Sequence, residues 1–312
     1  ARQALIAGAD GTGGPRDVNR TEPDVETKTA SAAETALDPG LYLVATPIGN
    51  LADLSTRARR VLAAADRVVC EDTRVTGRLL HHLDLDKPLV AYHEHNAEKR
   101  RPALLAELER GAVLALVSDA GTPLVSDPGY KLVRAARDAG IAVHPVPGPS
   151  AVLAALTASG LPTDRFFFQG FLPAKAGARE RVIAELAPLK ATLVVFESAA
   201  RAAATLDALA AGLGSRAGVL ARELTKRFED FRLGGLAELA ESCRADPPRG
   251  EVVLVVDGAR EAADGMDDAA VDAALAEELA EHGPSEAAKR VARRCGRPRR
   301  ALYARALELQ RR

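Results

Sequence analysis

Sulfur and tryptophan are scarce in this chain: its 312 residues hold three Cys, one Met and no Trp. The thiols Cys70, Cys243 and Cys295 form no CxxC pair. That argues against a disulfide scaffold or a thiolate zinc site and suits a reducing cytoplasm. An excess of either charge is also missing, with a formal net of −1, so any nucleic-acid contact must come from a local patch. No apolar run approaches the ~20 residues that cross a bilayer. No GxxxxGK followed by Ser or Thr occurs, and no GxGxxG follows the first strand. The nearest glycine pattern, GADGTGG, begins at Gly8 in a polar arm, so neither ATP nor NAD is indicated.

What is present is enough apolar content, 47%, for a large core, with a length that favours about two domains. Residues 1–39 carry four basic and seven acidic residues with little periodicity and no apolar core of a signal peptide, and read as a disordered extension. From Leu41 short apolar strands (LYLVAT, RVVC, PLVAY, AVLALVS, IAVHPV) alternate with helices predicted over 55–65, 73–83, 96–110, 128–139 and from Ser150. That pattern predicts a mainly parallel sheet covered on both faces, over residues 40–160. LPTDR, from Leu161, reads as a linker. Residues 161–260 are richer in strands (FFFQGF, TLVVFES, AGVLAREL, FEDFRLG, EVVLVVDG), with helices at 178–186 and 201–213, and predict a mixed sheet. Residues 261–281 read as an acidic linker helix. Residues 289–312 hold ten Lys or Arg against one Glu and predict two short helices around Gly296, a small module of helix-turn-helix type. Arg293, Arg299 and Arg300 there are candidate RNA contacts, because so dense a patch exceeds an ordinary solvated face.

The strands run into turns of Gly, Pro, Ser, Thr and Asp. Small residues at strand ends let a ligand approach backbone N–H and C=O groups. LVSDAGTPLVSDPGY, Leu116 to Tyr130, doubles a Ser-Asp motif around Gly121 and ends in a helix entry. VPGPSAV, Val146 to Val152, sets Ser150 as the cap of an Ala-rich helix whose first N–H groups could face a ligand. HEHN, from His93, supplies substrate contacts or a helix cap by Asn96; with six His in all and no second cluster, it points to no metal. EDTR, from Glu71, offers a general base or a structural ion pair, and an acidic pair beside an Arg is usually structural or orienting. FES with Arg201 nearby, from Phe196, and RELTKRFED, from Arg222, place Glu197, Arg222, Glu223, Lys226 and Arg227 at strand ends, where functional and solvated-face readings compete evenly.

Taken in order, LYLVATPIGNLADLSTRA, ADRVVCEDTRVTGRLL, HEHN, ALVSDAGTPLVSDPGY, VPGPSA, GLPTDRFFFQGFLPAK, ARELTKRFED and RGEVVLVVDG resemble the tetrapyrrole methylase superfamily, in its branch that 2′-O-methylates a cytidine of small-subunit ribosomal RNA. The match is dense from Leu41 to Gly258 and looser beyond. The resemblance implies two α/β domains with S-adenosylmethionine in the cleft between them, a small helical module after them, and usually a homodimer. It implies donor binding by Pro47, Gly49, Ser118, Asp119, Gly121, Thr122, Pro123, Val125, Pro147, Gly148, Ser150 and Ala151. Thr122 stands where the wider superfamily has Asp, as in the RNA-modifying branch. Val75 and Ala199-Ala200 stand where that branch often has a His and a Pro-His pair.

Methyl transfer to a ribose hydroxyl requires donor and acceptor in line, exclusion of water and removal of a weakly acidic proton. The acceptor-side candidates are Lys226, Glu197 and Glu71, with Arg74, His93 and Arg222 toward the RNA. A small-molecule methyltransferase acting on a tetrapyrrole, or a non-enzymatic ribosome-binding protein, stay as alternatives. The basic C-terminal module disfavours the first, and the intact small-residue turns disfavour the second.

Overall fold

A computed structural model describes residues 37–259, 268–295 and 297–310; the extension read in the sequence lies, up to residue 36, outside the described residues. Five strands form the first sheet: β1 (Gly40–Val44), β2 (Arg67–Cys70), β3 (Leu89–Ala91), β4 (Val113–Val117) and β5 (Val143–Val146). Their order is β3-β2-β4-β1-β5, with every pairing parallel. All five residues of β4 are buried, as expected of a strand covered on both faces. On one face Tyr42, Val44 and Val68 pack with Ala58, Val61 and Leu62 of α1 (Thr56–Ala64) and Leu80 of α2 (Thr73–His82). On the other, Leu41, Val69 and Leu114 pack with Leu104 and Leu108 of α3 (Ala97–Glu109) and Leu132 of α4 (Tyr130–Asp138).

The second sheet contains β6 (Phe166–Phe171), β7 (Thr192–Ser198), β8 (Ala217–Arg222), β9 (Asp230–Gly235) and β10 (Glu251–Val256). Its order is β6-β7-β10-β8-β9. Only β6 and β7 are parallel, so the sheet is mixed, as the strand density predicts. Leu193, Val195, Leu220 and Leu254 face α6 (Ala176–Leu186), α7 (Ala202–Leu213) and α8 (Leu236–Ala245). The sequence reading passed over α8, although Leu236, Leu239, Ala240 and Cys243 bury one stripe at helical spacing. The opposite face, with Val194, Val219, Ala221, Val253 and Val255, is closed by Ile48 and by Val152, Ala155 and Leu156 of α5 (Ala151–Ala158). The helix that follows the last strand of the first sheet thus packs on the second sheet.

Downstream, α9 (Asp268–Glu281), α10 (Pro284–Cys295) and α11 (Arg299–Gln310) share one core of Val271, Leu275, Ala288, Val291, Leu302 and Ala306. The acidic helix is therefore a member of the module rather than a linker. Its carboxylates also take up part of the basic patch: Arg290 pairs with Glu278, Arg297 with Asp268 and Arg305 with Asp272. No described helix is long and apolar enough to cross a membrane.

Candidate active site

The turns after β1, β4 and β5 meet at the carboxyl edge of the first sheet. Thr46 and Gly121 exchange two backbone hydrogen bonds, of 2.9 and 3.0 Å. The Thr46 hydroxyl donates to the Ser118 carbonyl at 3.1 Å. Ser118 in turn donates to the carbonyls of Ala120 and Gly121, each at 3.2 Å. The Thr122 hydroxyl donates to the Pro149 carbonyl at 3.0 Å, tying the GTP turn to the PGPS turn. Gly121 holds φ +81°, and a Cβ there would stand 3.1 Å from the Ile48 side chain, so this position requires glycine. At Gly148 the backbone is ordinary, and the reason for glycine is the neighbouring Ala45 Cβ, 3.0 Å from where a Cβ would be.

Five described non-glycine residues have positive φ, and four of them fall in two turns: Leu124 and Ser126 in the first sheet's long turn, Glu223 and Thr225 in the RELTKR turn; Ser126 borders a cavity. Backbone strain of this kind persists where surrounding structure over-determines it, and it clusters at ligand sites. The cavity has a volume of about 390 Å³. One wall is Ile48, Gly121, Thr122 and Val125 with Ser150, Ala151 and Val152 at the start of α5; the other is Phe171, Phe196, Glu251 and Val253 of the second sheet. Among the expected donor-binding residues, Gly121, Thr122, Val125, Ser150 and Ala151 border it. Pro47, Gly49, Ser118, Asp119, Pro123, Pro147 and Gly148 do not; they lie in the turns that build it. Of the second wall only Glu197 is among the sequence candidates; Phe171, Phe196, Glu251 and Val253 are not, nor are Ile48 and Asp127.

Asp127 is among the residues that border the cavity. Burial, opposed by a hydrogen bond from Ser118 and reinforced by the charges of Glu71 and Asp119, pushes its pKa up to about 6. Glu71 is also raised, by burial first and then by Asp119. Asp119 accepts the Asp72 backbone N–H at 3.1 Å, which holds the EDTR turn against the β4 turn.

Two of the three acceptor-side candidates have their charges committed within the protein. Glu197 belongs to the cavity's border, yet strand alternation sets its side chain with Leu193 and Val195, on the face under α7. Its carboxylate accepts from the Ser198 N–H at 2.7 Å and the Thr205 hydroxyl at 2.6 Å. Arg201 lies 3.2 Å away, and the Glu197 side chain is fully buried. That geometry makes Glu197 a buried anchor for α7, not a group reaching an acceptor. Lys226 stands at the rim, its Nζ 2.9 Å from both Glu223 and Glu251. Burial pulls its pKa down, but the hydrogen bonds to Glu223 and Glu251 outweigh this and the net direction is up. Lys226 is a cation held between two carboxylates. Its stem crosses Gly49, where a Cβ would stand 2.4 Å from Lys226 Cγ.

Residues 40–240 match the family model of Tetrapyrrole (Corrin/Porphyrin) Methylases, and residues 265–310 match that of the RsmI C-terminal HTH domain. A relative called ribosomal RNA small subunit methyltransferase I in Mesorhizobium japonicum is 52% identical over 276 residues, covering 88% of this chain and 93% of its own. The protein of the same name from Escherichia coli O157:H7 is 49% identical over 221 residues, 70% of this chain and 77% of its own. The chain belongs to the ribosomal RNA small subunit methyltransferase I family of tetrapyrrole methylases. The fold agrees with the solved uroporphyrin-III-C-methyltransferase of Thermus thermophilus, 26% identical, TM-score 0.51, over 70% of this chain and 94% of that one. A second structure of that enzyme, in complex with S-adenyl homocysteine, is 23% identical, TM-score 0.51, over 70% of this chain and 97% of that one.

The residues that sequence reasoning set toward RNA are not brought to one place in this member of the methyltransferase I family. Arg74 is 87% exposed and pairs with Asp72 at 2.6 Å; hydrogen bonds from Arg74 hold that carboxyl at about 2. His93 is fixed by Asn96, whose Oδ1 accepts the His93 N–H at 3.0 Å and whose Nδ2 donates to the Ala91 carbonyl at 3.1 Å. Asn96 thus looks back along the chain instead of capping α3 with its side chain, as expected of it. Arg222 lies at the end of β8, its Nε 3.4 Å from Asp230. Arg299 donates to the Ser285 hydroxyl at 2.9 Å, Arg300 is exposed, and the Arg293 side chain lies outside the described residues.

Proposed function

We propose that the chain transfers the methyl group of S-adenosylmethionine to the 2′-hydroxyl of a cytidine in small-subunit (16S) ribosomal RNA, acting in the cytoplasm as a homodimer. The observation that carries this reading is the cavity between the cross-tied strand-end turns and the face of the second sheet. At about 390 Å³ it has the size of a nucleoside site. It combines apolar walls (Ile48, Val125, Val152, Phe171, Phe196) with polar groups converging from Thr122, Asp127 and Ser150. An adenosyl group fits such walls, and a carboxylate fits the amides of Ala151 and Val152, which no helical hydrogen bond uses.

When bound, the sulfonium donor supplies an already activated methyl group, so the protein's task is alignment and proton removal. Thr122 and the start of α5 hold the donor end, and Gly121 keeps that wall thin. Lys226, charged and pinned between Glu223 and Glu251, orients the acceptor at the rim. We assign the proton transfer to Asp127, because it lies in the cavity wall and its pKa of about 6 is close to the working range of a general base. Glu71 supports it electrostatically.

Incubating the enzyme with isotope-labelled donor and small subunits lacking the modification should label one cytidine 2′-oxygen, located by primer extension or mass spectrometry. Donor binding with no label in the RNA would end this reading. Label appearing in a tetrapyrrole instead would hand the site to the small-molecule alternative.

A further inference from the structure

Beside the cavity lies a second hollow of about 500 Å³, walled by Arg222, Glu223, Phe228, Pro247, Pro248 and Arg249. Gly250 belongs to both. The partition between them is narrow: Glu223 Oε1 accepts from Lys226 Nζ at 2.9 Å and from the Glu251 N–H at 3.1 Å. A Cβ on Gly250, whose φ is +81°, would fall 2.1 Å from that oxygen. A chain lying in the hollow would therefore reach the cavity rim at Lys226.

The wall of this hollow has an unusual composition. Phe228 is 64% exposed, with the Arg227 guanidinium 5.4 Å from its ring centroid. The acidic members are engaged within the protein: Glu223 shares Lys226 with Glu251, and Asp246 shares Arg232 with Asp230. Arg227 and Arg249 are exposed and carry no acidic partner among the described residues. At Arg222, Nε is buried without a hydrogen bond. An exposed aromatic ring that carries one guanidinium and stands near another without an acidic partner is a pairing that holds a single-stranded nucleotide, base on ring and phosphate on Arg. A protein partner's apolar side chain would use the ring and waste the cations.

We propose that this hollow is an RNA subsite that takes a nucleotide adjoining the methylated one, its base stacked on Phe228 and its phosphate held by Arg227 and Arg249. The proposal rests on the reading of the chain as an RNA methyltransferase and adds where the strand lies. It implies that the acceptor enters across Gly250, past Lys226, splayed out of any stack, as enzymes acting inside a nucleotide require.

The test uses the full chain and a labelled single-stranded RNA of ~8 nucleotides, within the range one such groove covers, followed by fluorescence anisotropy. Phe228→Ala should weaken binding about tenfold, the scale of one lost base–aromatic stack, while Phe228→Trp should restore it. Arg249→Glu should weaken binding and flatten its dependence on salt. Phe166→Ala, at an exposed aromatic on the far edge of the sheet, should change nothing. In steady-state methylation of small subunits, Phe228→Ala should raise KM for the subunit with donor affinity unaltered. Absence of oligonucleotide binding by the wild type, or equal binding by Phe228→Ala, overturns the subsite. A change in sedimentation of Phe228→Ala with RNA binding intact also overturns it, and assigns the patch to a subunit contact. Oligonucleotide binding that depends on Phe228, in an enzyme that methylates no subunit, would leave the subsite standing and remove the proposed function.

Discussion

The two sheets contribute to the cavity in different ways. The parallel sheet contributes turns: Thr46, Gly121, Thr122 and Pro149 hydrogen-bond to one another and present little beyond backbone. The mixed sheet contributes a strand face, on which Phe196 and Val253 line the cavity, and a charged rim at Lys226 and Glu251. Parallel strands end together at one edge, so their turns converge and can be shaped residue by residue. Antiparallel strands send alternate side chains to each face, so one position decides whether a group meets the ligand or the core. Substitutions at turn positions of the first sheet that line the cavity should therefore act on donor binding or chemistry and those beneath them on stability, whereas in the second sheet the face of the strand decides between stability and the acceptor.

The largest effect should fall on stability, at Glu197. Removing this fully buried carboxylate leaves the Thr205 hydroxyl without its acceptor and Arg201 without its ion-pair partner, so Glu197→Ala should cost about 3 kcal/mol in urea unfolding, with donor affinity retained in the folded fraction. A variant of unchanged stability and lost turnover would reverse the assignment and return Glu197 to the acceptor side. Next comes Asp127→Asn, expected to lower turnover about a hundredfold and to remove the rise of wild-type rate as pH increases through about 6. Stability gives an independent readout of the same group. A carboxyl raised to about 6 by the fold binds its proton more tightly in the native state. Native stability therefore falls as pH rises from the ordinary aspartate range to about 6, and Asp127→Asn should be the more stable protein above that window. Identical pH dependence in both proteins would remove Asp127 from the mechanism.

Gly121→Val combines a positive φ with a contact on Ile48 and should weaken donor binding at least about tenfold by calorimetry, a loss of ~1.4 kcal/mol. Gly148→Val meets Ala45 beneath the turn and should show chiefly as a lower melting temperature. If the two behave alike, the distinction between lining and supporting residues fails. The smallest effect is expected at Lys226→Met: turnover down about tenfold with donor affinity unchanged. The pH–rate profile near neutrality should keep its shape, because the raised pKa of Lys226 keeps it charged throughout. Loss of an alkaline-rising limb in that variant would mark Lys226 as a base after all.

The parallel sheet was legible because period and punctuation agree there: apolar runs end in Gly-Pro-Ser-Thr turns, and the chemistry is in the punctuation. The charged groups of the second sheet were harder to read. FES reads in the sequence as a motif ending a strand, whereas counting by twos from Leu193 through Val195 sets Glu197 on the buried face. Lys226 was recognised as standing at a strand end, but its partner Glu251 is 25 residues away and is met only through the pairing of β8 with β10. Phe196 and Val253 look in sequence like any core residue, and their exposure to a cavity depends on what α5 leaves uncovered. In the C-terminal module the charge count was right, but its meaning changed once α9 folded against it. Arg290, Arg297 and Arg305 each have an acidic partner there, which leaves less free charge for phosphate than the sequence of 289–312 advertises.

The position of β1 has a consequence for how the molecule comes into being. The first strand made is interior, flanked by β4 and β5, whose residues emerge from the ribosome only after some seventy and a hundred further positions have been added. Until Val146 is out, β1 has no complete set of neighbours, and Leu41 and Val44 must wait in the open or in the care of a chaperone. Nascent chains arrested before Val143 should be cut by protease within this first strand, whereas chains arrested well beyond Ala158 should resist. A protease-resistant β1 in the shorter chains would mean that it pairs with something else first.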